Sequence, residues 1–136
     1  MDRINITKTS WGIVILYRIS EKDDFEENAY NMFQVRDNVL FNIHQKIDNL
    51  SFKYLKYGVE SILNFIHTDK QVCFFINIEY NICHYQPEGM YYMFRKWFFE
   101  THDMEMPPIN VYYDKETNRY IFPDLKNELN GLEGMK

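Results

Sequence analysis

Cysteine is scarce in this chain, and long apolar runs, catalytic signature motifs and an excess of basic residues are missing. Each absence closes off a class of protein. Two cysteines in 136 residues are too few for the disulfide framework of most small secreted domains. No run of about 18 apolar residues occurs, so no transmembrane helix is expected. The opening residues, MDRINITKTS, are polar and lack the apolar stretch of a signal peptide. The cytoplasm is the expected address. There is no Gly-x-x-x-x-Gly-Lys phosphate loop, no Gly-x-Gly-x-x-Gly and no Gly-x-Ser-x-Gly elbow. No His-x-x-x-His or Cys-x-x-Cys spacing offers a zinc site. No catalytic constellation, cofactor or metal is therefore expected. With 15 Lys and Arg against 20 Asp and Glu, the chain lacks the clustered cations that drive direct nucleic-acid binding. Its net charge of −5 suits a partner that is itself basic.

What is present is apolar and aromatic. Apolar residues make up 46% of the chain, with eleven Tyr and eleven Phe. A single domain spanning 1–136 can bury a real core from this material, but it cannot bury every ring. No repeat, low-complexity segment or Pro/Gly/Ser linker divides it. Residues 11–19, WGIVILYRI, read as a strand, and YNMFQV and VLFNIHQKI as two more around the turn RDN. In SFKYLKYGVESILNFIH the period changes. Phe52, Leu55, Val59, Ile62, Leu63 and Ile66 fall at helical spacing, with Ser51 in the N-cap position. Gly58 within this helix costs about 1 kcal/mol against Ala, and a close helix–sheet approach is the expected reason. Val72 to His84 reads as the next strand. MYYMFRKWFFETH is a second helix with Met90, Met93, Phe94, Trp97 and Phe98 on its inner stripe. INVYY and RYIF close the chain as a hairpin around DKETN, and residues 124–136 read as a short helix or frayed tail. The order β-β-β-α-β-α-β-β implies an α+β two-layer sandwich. A mainly antiparallel sheet would carry both helices on one face.

The stretch VCFFINIEYNICHYQP holds both cysteines and His84. As one strand it puts Val72, Phe74, Ile76 and Ile78 on one face, and Cys73, Phe75, Asn77 and Cys83 on the other. Ten residues at about 3.3 Å each separate the two cysteines by about 33 Å, too far for a disulfide or a shared metal. The stretch is therefore expected to be scaffold.

The acidic run is the more informative feature. Glu21, Asp23, Asp24, Glu26 and Glu27 fall within seven residues, against one Lys22, with Phe25 in their midst. One reading is a solvated loop. The other is a docking surface, with Phe25 as an aromatic anchor ringed by charge. Glu100, Asp103 and Glu105, after the second helix, would extend it. Tyr91, Tyr92 and Phe99 exceed what one helical stripe can bury, so they serve either as further partner contacts or as packing against a loop or a second copy. A homodimer stays open.

Two family resemblances attach to these features. A small acidic α+β chain rich in Asn, Ile, Tyr and Phe, with no catalytic motif, resembles the immunity proteins of bacterial contact-dependent growth inhibition and related polymorphic toxin systems. That resemblance implies a protein that binds a cognate toxin, often a nuclease, and occludes it. The segments KYGVESIL, FFINIEYNICHY and PPINVYY are similar to the fourth domain of elongation factor G. There, Gly58, Val59, His84, Pro108 and Ile109 would match the family pattern. The family's Asp-Gly is replaced by Tyr80 and Asn81, and its serine pair by Glu88 and Gly89. This second resemblance implies a ribosome- or translation-associated module.

Overall fold

The longest strand, β2 (Gly12–Lys22), shows how the layers arise. Its odd residues Ile13, Ile15, Tyr17 and Ile19 are buried, while the alternating Val14 and Leu16 are half-buried and Arg18 and Ser20 exposed. Alternation of this kind requires one covered and one open sheet face. The computed structural model describes residues 1–22, 31–36, 38–65 and 72–125. The other strands of the main sheet are β1 (Asp2–Thr7), β3 (Asn31–Arg36), β4 (Val39–Ile43) and β5 (Val72–Glu79), in the order β1-β2-β5-β4-β3. All neighbours are antiparallel except β4 and β5, which run parallel. A parallel pair needs a crossover, and α1 (Asn49–Ser61) supplies it. The second helix, α2 (Gly89–Thr101), lies beside α1 on the same face. The α+β sandwich expected from the sequence is the observed fold.

The core lies between these layers. Ile4, Ile6, Ile13, Ile15, Val39, Phe41, Phe74 and Ile76 from the sheet meet Leu55, Val59, Met90, Met93, Phe94 and Phe98 from the helices. Phe74 stands edge-on to both Phe94 and Trp97, with ring centroids 5.1 and 5.7 Å away.

Several boundaries differ from expectation, each for a local reason. β1 was not anticipated, because the polar start offers only Ile4 and Ile6 to the core. Its alternation is nevertheless regular, and Ile4 pairs with Ile15 and Ile6 with Ile13. β4 ends at Ile43 rather than Ile47. Beyond it the Gln45 side chain takes over the ladder, accepting from the Ile78 N–H at 3.2 Å and donating to the Ile78 carbonyl. β5 ends at Glu79 rather than His84. The Asn81 side chain accepts from the Cys83 N–H at 2.9 Å and starts a 3-10 turn over Ile82–His84, a local bond that competes with the ladder. Cys73 is buried within β5, and Cys83 is exposed on the turn. The N-cap of α1 is Asp48, not Ser51. Its carboxylate accepts from the Ser51 N–H at 3.1 Å and from the Ser51 hydroxyl at 2.6 Å. Although partial burial works against it, these bonds hold the Asp48 carboxyl below the usual value.

The closing hairpin, β6 (Tyr112–Asp114) and β7 (Arg119–Ile121), forms a separate two-stranded sheet. Its turn places Asn118 in the left-handed region, with φ 55°. Gln86, only 3% exposed, fastens it. Its amide nitrogen donates to the Tyr120 carbonyl at 2.9 Å, and its oxygen accepts from the Tyr120 N–H at 2.7 Å. The Tyr120 hydroxyl accepts from the Lys8 N–H at 2.9 Å and donates to the Trp11 carbonyl. Beyond β7 a helical turn over 123–125 buries Leu125, so packing continues past residue 124. The remainder of the expected tail lies outside the described residues.

Gly58 serves a helix–helix contact rather than a helix–sheet one. A Cβ there would lie 2.9 Å from the Tyr91 carbonyl oxygen and 3.2 Å from its Cα. Backbone cannot yield as a side-chain tip can. Gly58→Ala is therefore expected to lose about 1–3 kcal/mol by overpacking, outweighing the roughly 1 kcal/mol that alanine gains in an open helix. Urea unfolding should show a lower midpoint than the parent chain.

Candidate interaction surface at the acidic end

β2 and α2 run in the same direction. Gly89 begins α2 over Ile13 and Ile15, Lys96 reaches Tyr17, and His102 follows the last turn beside Glu21. The His102 Nε2 lies 3.8 Å from a Glu21 carboxylate oxygen, which joins the end of β2 to the end of α2. α1 lies parallel to α2. Ser61 accepts from Arg95 Nη1 at 2.8 Å, and the Phe65 ring stands 5.5 Å from Phe99. Both helices therefore direct their C-termini, the negative ends of their dipoles, toward the same end as Glu21.

The last turn of α2 is closed by backbone. Asp103 takes φ 55°, its N–H reaches the Glu100 carbonyl at 3.2 Å, and the Met104 N–H reaches the Phe99 carbonyl at 2.8 Å. These are the two bonds of a Schellman cap, with Asp in the left-handed position that glycine commonly fills. The His102 ring lies over Phe98 at 4.1 Å, and its Nδ1 meets the Phe98 carbonyl at 2.8 Å. Glu100 pairs with Lys96 at 2.8 Å. Lys96 loses some solvation, yet its bonds to Glu100 and Tyr17 hold its pKa above the usual lysine value. Glu105 is exposed.

The structure thus brings Glu21 together with the segment carrying Glu100, Asp103 and Glu105. Asp23, Asp24, Phe25, Glu26 and Glu27 lie outside the described residues. The surplus aromatics are placed differently from expectation. Tyr92 is 5% exposed, against Phe122 at 5.2 Å, and Phe99 is 4% exposed, under the Arg95 guanidinium at 5.2 Å. Burial raises the Tyr92 hydroxyl pKa well above its ordinary value. Neither ring offers surface. Tyr91 is half-buried and stacked on Tyr57 at 4.8 Å, and eleven residues of helix, about 16 Å, separate it from His102. Among the described residues, the aromatic that does reach solvent at this end is Phe65, 47% exposed. It falls off the apolar stripe of the preceding helix, so helical spacing does not single it out.

The positions shared with the elongation-factor pattern are dispersed. Gly58 and Val59 lie in the second half of α1, His84 is exposed on the turn after β5, and Pro108 and Ile109 lie in the irregular segment before β6. Among the described residues, no group of three His, Cys, Asp or Glu side chains is placed to hold a metal ion, and no helix is long and apolar enough to cross a membrane. Comparison with protein-family models, curated proteins and solved structures finds no match.

Phe99→Ala is expected to cost about 3–5 kcal/mol of stability, as core aromatic truncation does. Phe65→Ala, at the exposed neighbouring ring, should cost far less. Paired denaturant titrations would show the difference.

Proposed function

We propose that this chain is a binding protein that neutralises a basic protein partner by occlusion, in the manner of an immunity protein against a cognate toxin, with a nuclease as the partner class. The observation that carries the reading is the 3.8 Å approach of Glu21 to His102, which brings Glu21 to the end of the fold where the segment carrying Glu100, Asp103 and Glu105 lies. Two helix C-termini add negative potential there, and exposed Phe65 adds apolar area. Charge of this kind acts mainly on association rate and partner choice. A cytoplasmic setting belongs to the same proposal.

The test is kinetic. Replacing Glu21, Asp23, Asp24, Glu26 and Glu27 with their amides should slow association with the partner and flatten its dependence on salt. A second set, Glu100→Gln, Asp103→Asn and Glu105→Gln, should do the same, since Asn tolerates the left-handed cap. Association rates unchanged in both sets would remove the acidic end from the mechanism. The partner itself is found by affinity capture from the host with neighbouring reading frames co-expressed. A basic protein recovered at near-equal stoichiometry, and toxic alone, is the expected result.

A second reading, a translation-associated module, has one observation in its favour. His84 stands exposed on the turn between β5 and α2. Ribosomal proteins in the same capture would favour it over the first.

A further inference from the structure

The open face of the sheet carries the opposite chemistry to the acidic end. Two cross-strand rows lie side by side there. Ser20 pairs with Phe75, which pairs with Asn42; Arg18 pairs with Asn77, and His44 follows beside it, its N–H bonded to the Ile76 carbonyl at 2.8 Å. These residues enclose a hollow of about 160 Å³. That is below the roughly 300 Å³ at which drug-sized sites begin, and it suits a single polar group. Among the described residues, no acidic side chain lines it. The Lys22 ammonium lies 5.0 Å from the centre of the Phe75 ring, at the margin. Glu79 lines the neighbouring hollow with Val14, Leu16 and His84.

Two features bear on what this hollow could hold. Asn42 is only 5% exposed and is one of the residues lining the hollow. Its carboxamide makes no hydrogen bond to the described residues, and since none of their buried side-chain nitrogens or oxygens goes without a partner, its polar atoms are open to solvent and free to meet a ligand. Arg18, at the same opening, forms no ion pair with the described residues, in a chain with 20 Asp and Glu. A guanidinium fork next to unpaired amide donors matches the geometry of an oxyanion.

We propose that this hollow is a binding site for a small oxyanion, a phosphate or carboxylate group, with Arg18 as the charged clamp and Asn42, Asn77 and Ser20 as neutral donors. The site lies on the sheet face opposite the one that Glu21 and α2 occupy. It stands or falls independently of the toxin-binding reading.

The experiment is a nuclear magnetic resonance titration of the full chain with inorganic phosphate and, separately, with acetate, at constant ionic strength set by chloride. The expected result is saturable movement of the Asn42 carboxamide and Arg18 guanidinium signals with at least one anion. Arg18→Gln should weaken that binding by about tenfold or more. Arg18 is exposed, so this variant keeps the fold, which its unfolding curve would confirm. Response to phosphate alone assigns the site to phosphoryl groups, and response to acetate alone to carboxylates. Absence of saturation with both anions, or binding undiminished in Arg18→Gln, would overturn the proposal.

Discussion

Parity along β2 and β5 is the constraint on which the remaining structure rests. Once the helices cover Ile13, Ile15, Tyr17, Phe74 and Ile76, every neighbouring residue is committed to the other face. A shift of one residue in the β2–β5 register would turn Arg18 into the core. The contacts that seat this face of β2 under α2 are specific. Gly89 sits over Ile13 and Ile15 with no room for a Cβ, its nearest approach being 2.8 Å, and the Lys96 ammonium reaches the Tyr17 hydroxyl at 3.4 Å.

The same parity sorts the charges. Glu21 is an odd residue of β2 and belongs to the helical layer, where it meets His102. Arg18 and Lys22 are even and belong to the open face. One strand therefore presents acid to one side of the molecule and base to the other. The asymmetry is hidden in the net charge of −5.

Much of this was legible in the residues. The strands at 12–22 and 72–79 declared themselves by β-branched content, and both helices by their apolar stripe. Apart from β1, whose polar start offers only Ile4 and Ile6 to the core, what escaped were boundaries set by single polar side chains. Gln45 ends β4 early by taking over its hydrogen bonds, Asn81 ends β5, and Asp48 starts α1 three residues before the expected cap. A periodicity argument has no access to such bonds. The acidic end was legible in part. The spacing of Glu21 and Glu100 in sequence says nothing of their proximity, which depends on the parallel run of β2 and α2. Tyr92 and Phe99 looked surplus because the segment that covers Tyr92, Phe122 to Leu125, and the turn that carries Phe65 lie far from them along the chain. The oxyanion hollow left one trace, the interruption of WGIVILYRIS by Arg18 and Ser20 on a face otherwise begun with Val14 and Leu16.

The clasp between Gln86 and Tyr120 bears on the order in which the chain can be completed during synthesis. A ribbon of two three-residue strands does not hold itself together in water. β6 and β7 owe their place to the side chain of Gln86, and the Tyr120 hydroxyl in turn ties down Lys8 and Trp11 in the first turn. The bend between β1 and β2 thus relies on a side chain more than a hundred residues further along. During synthesis those bonds can form only once residue 120 has cleared the exit channel.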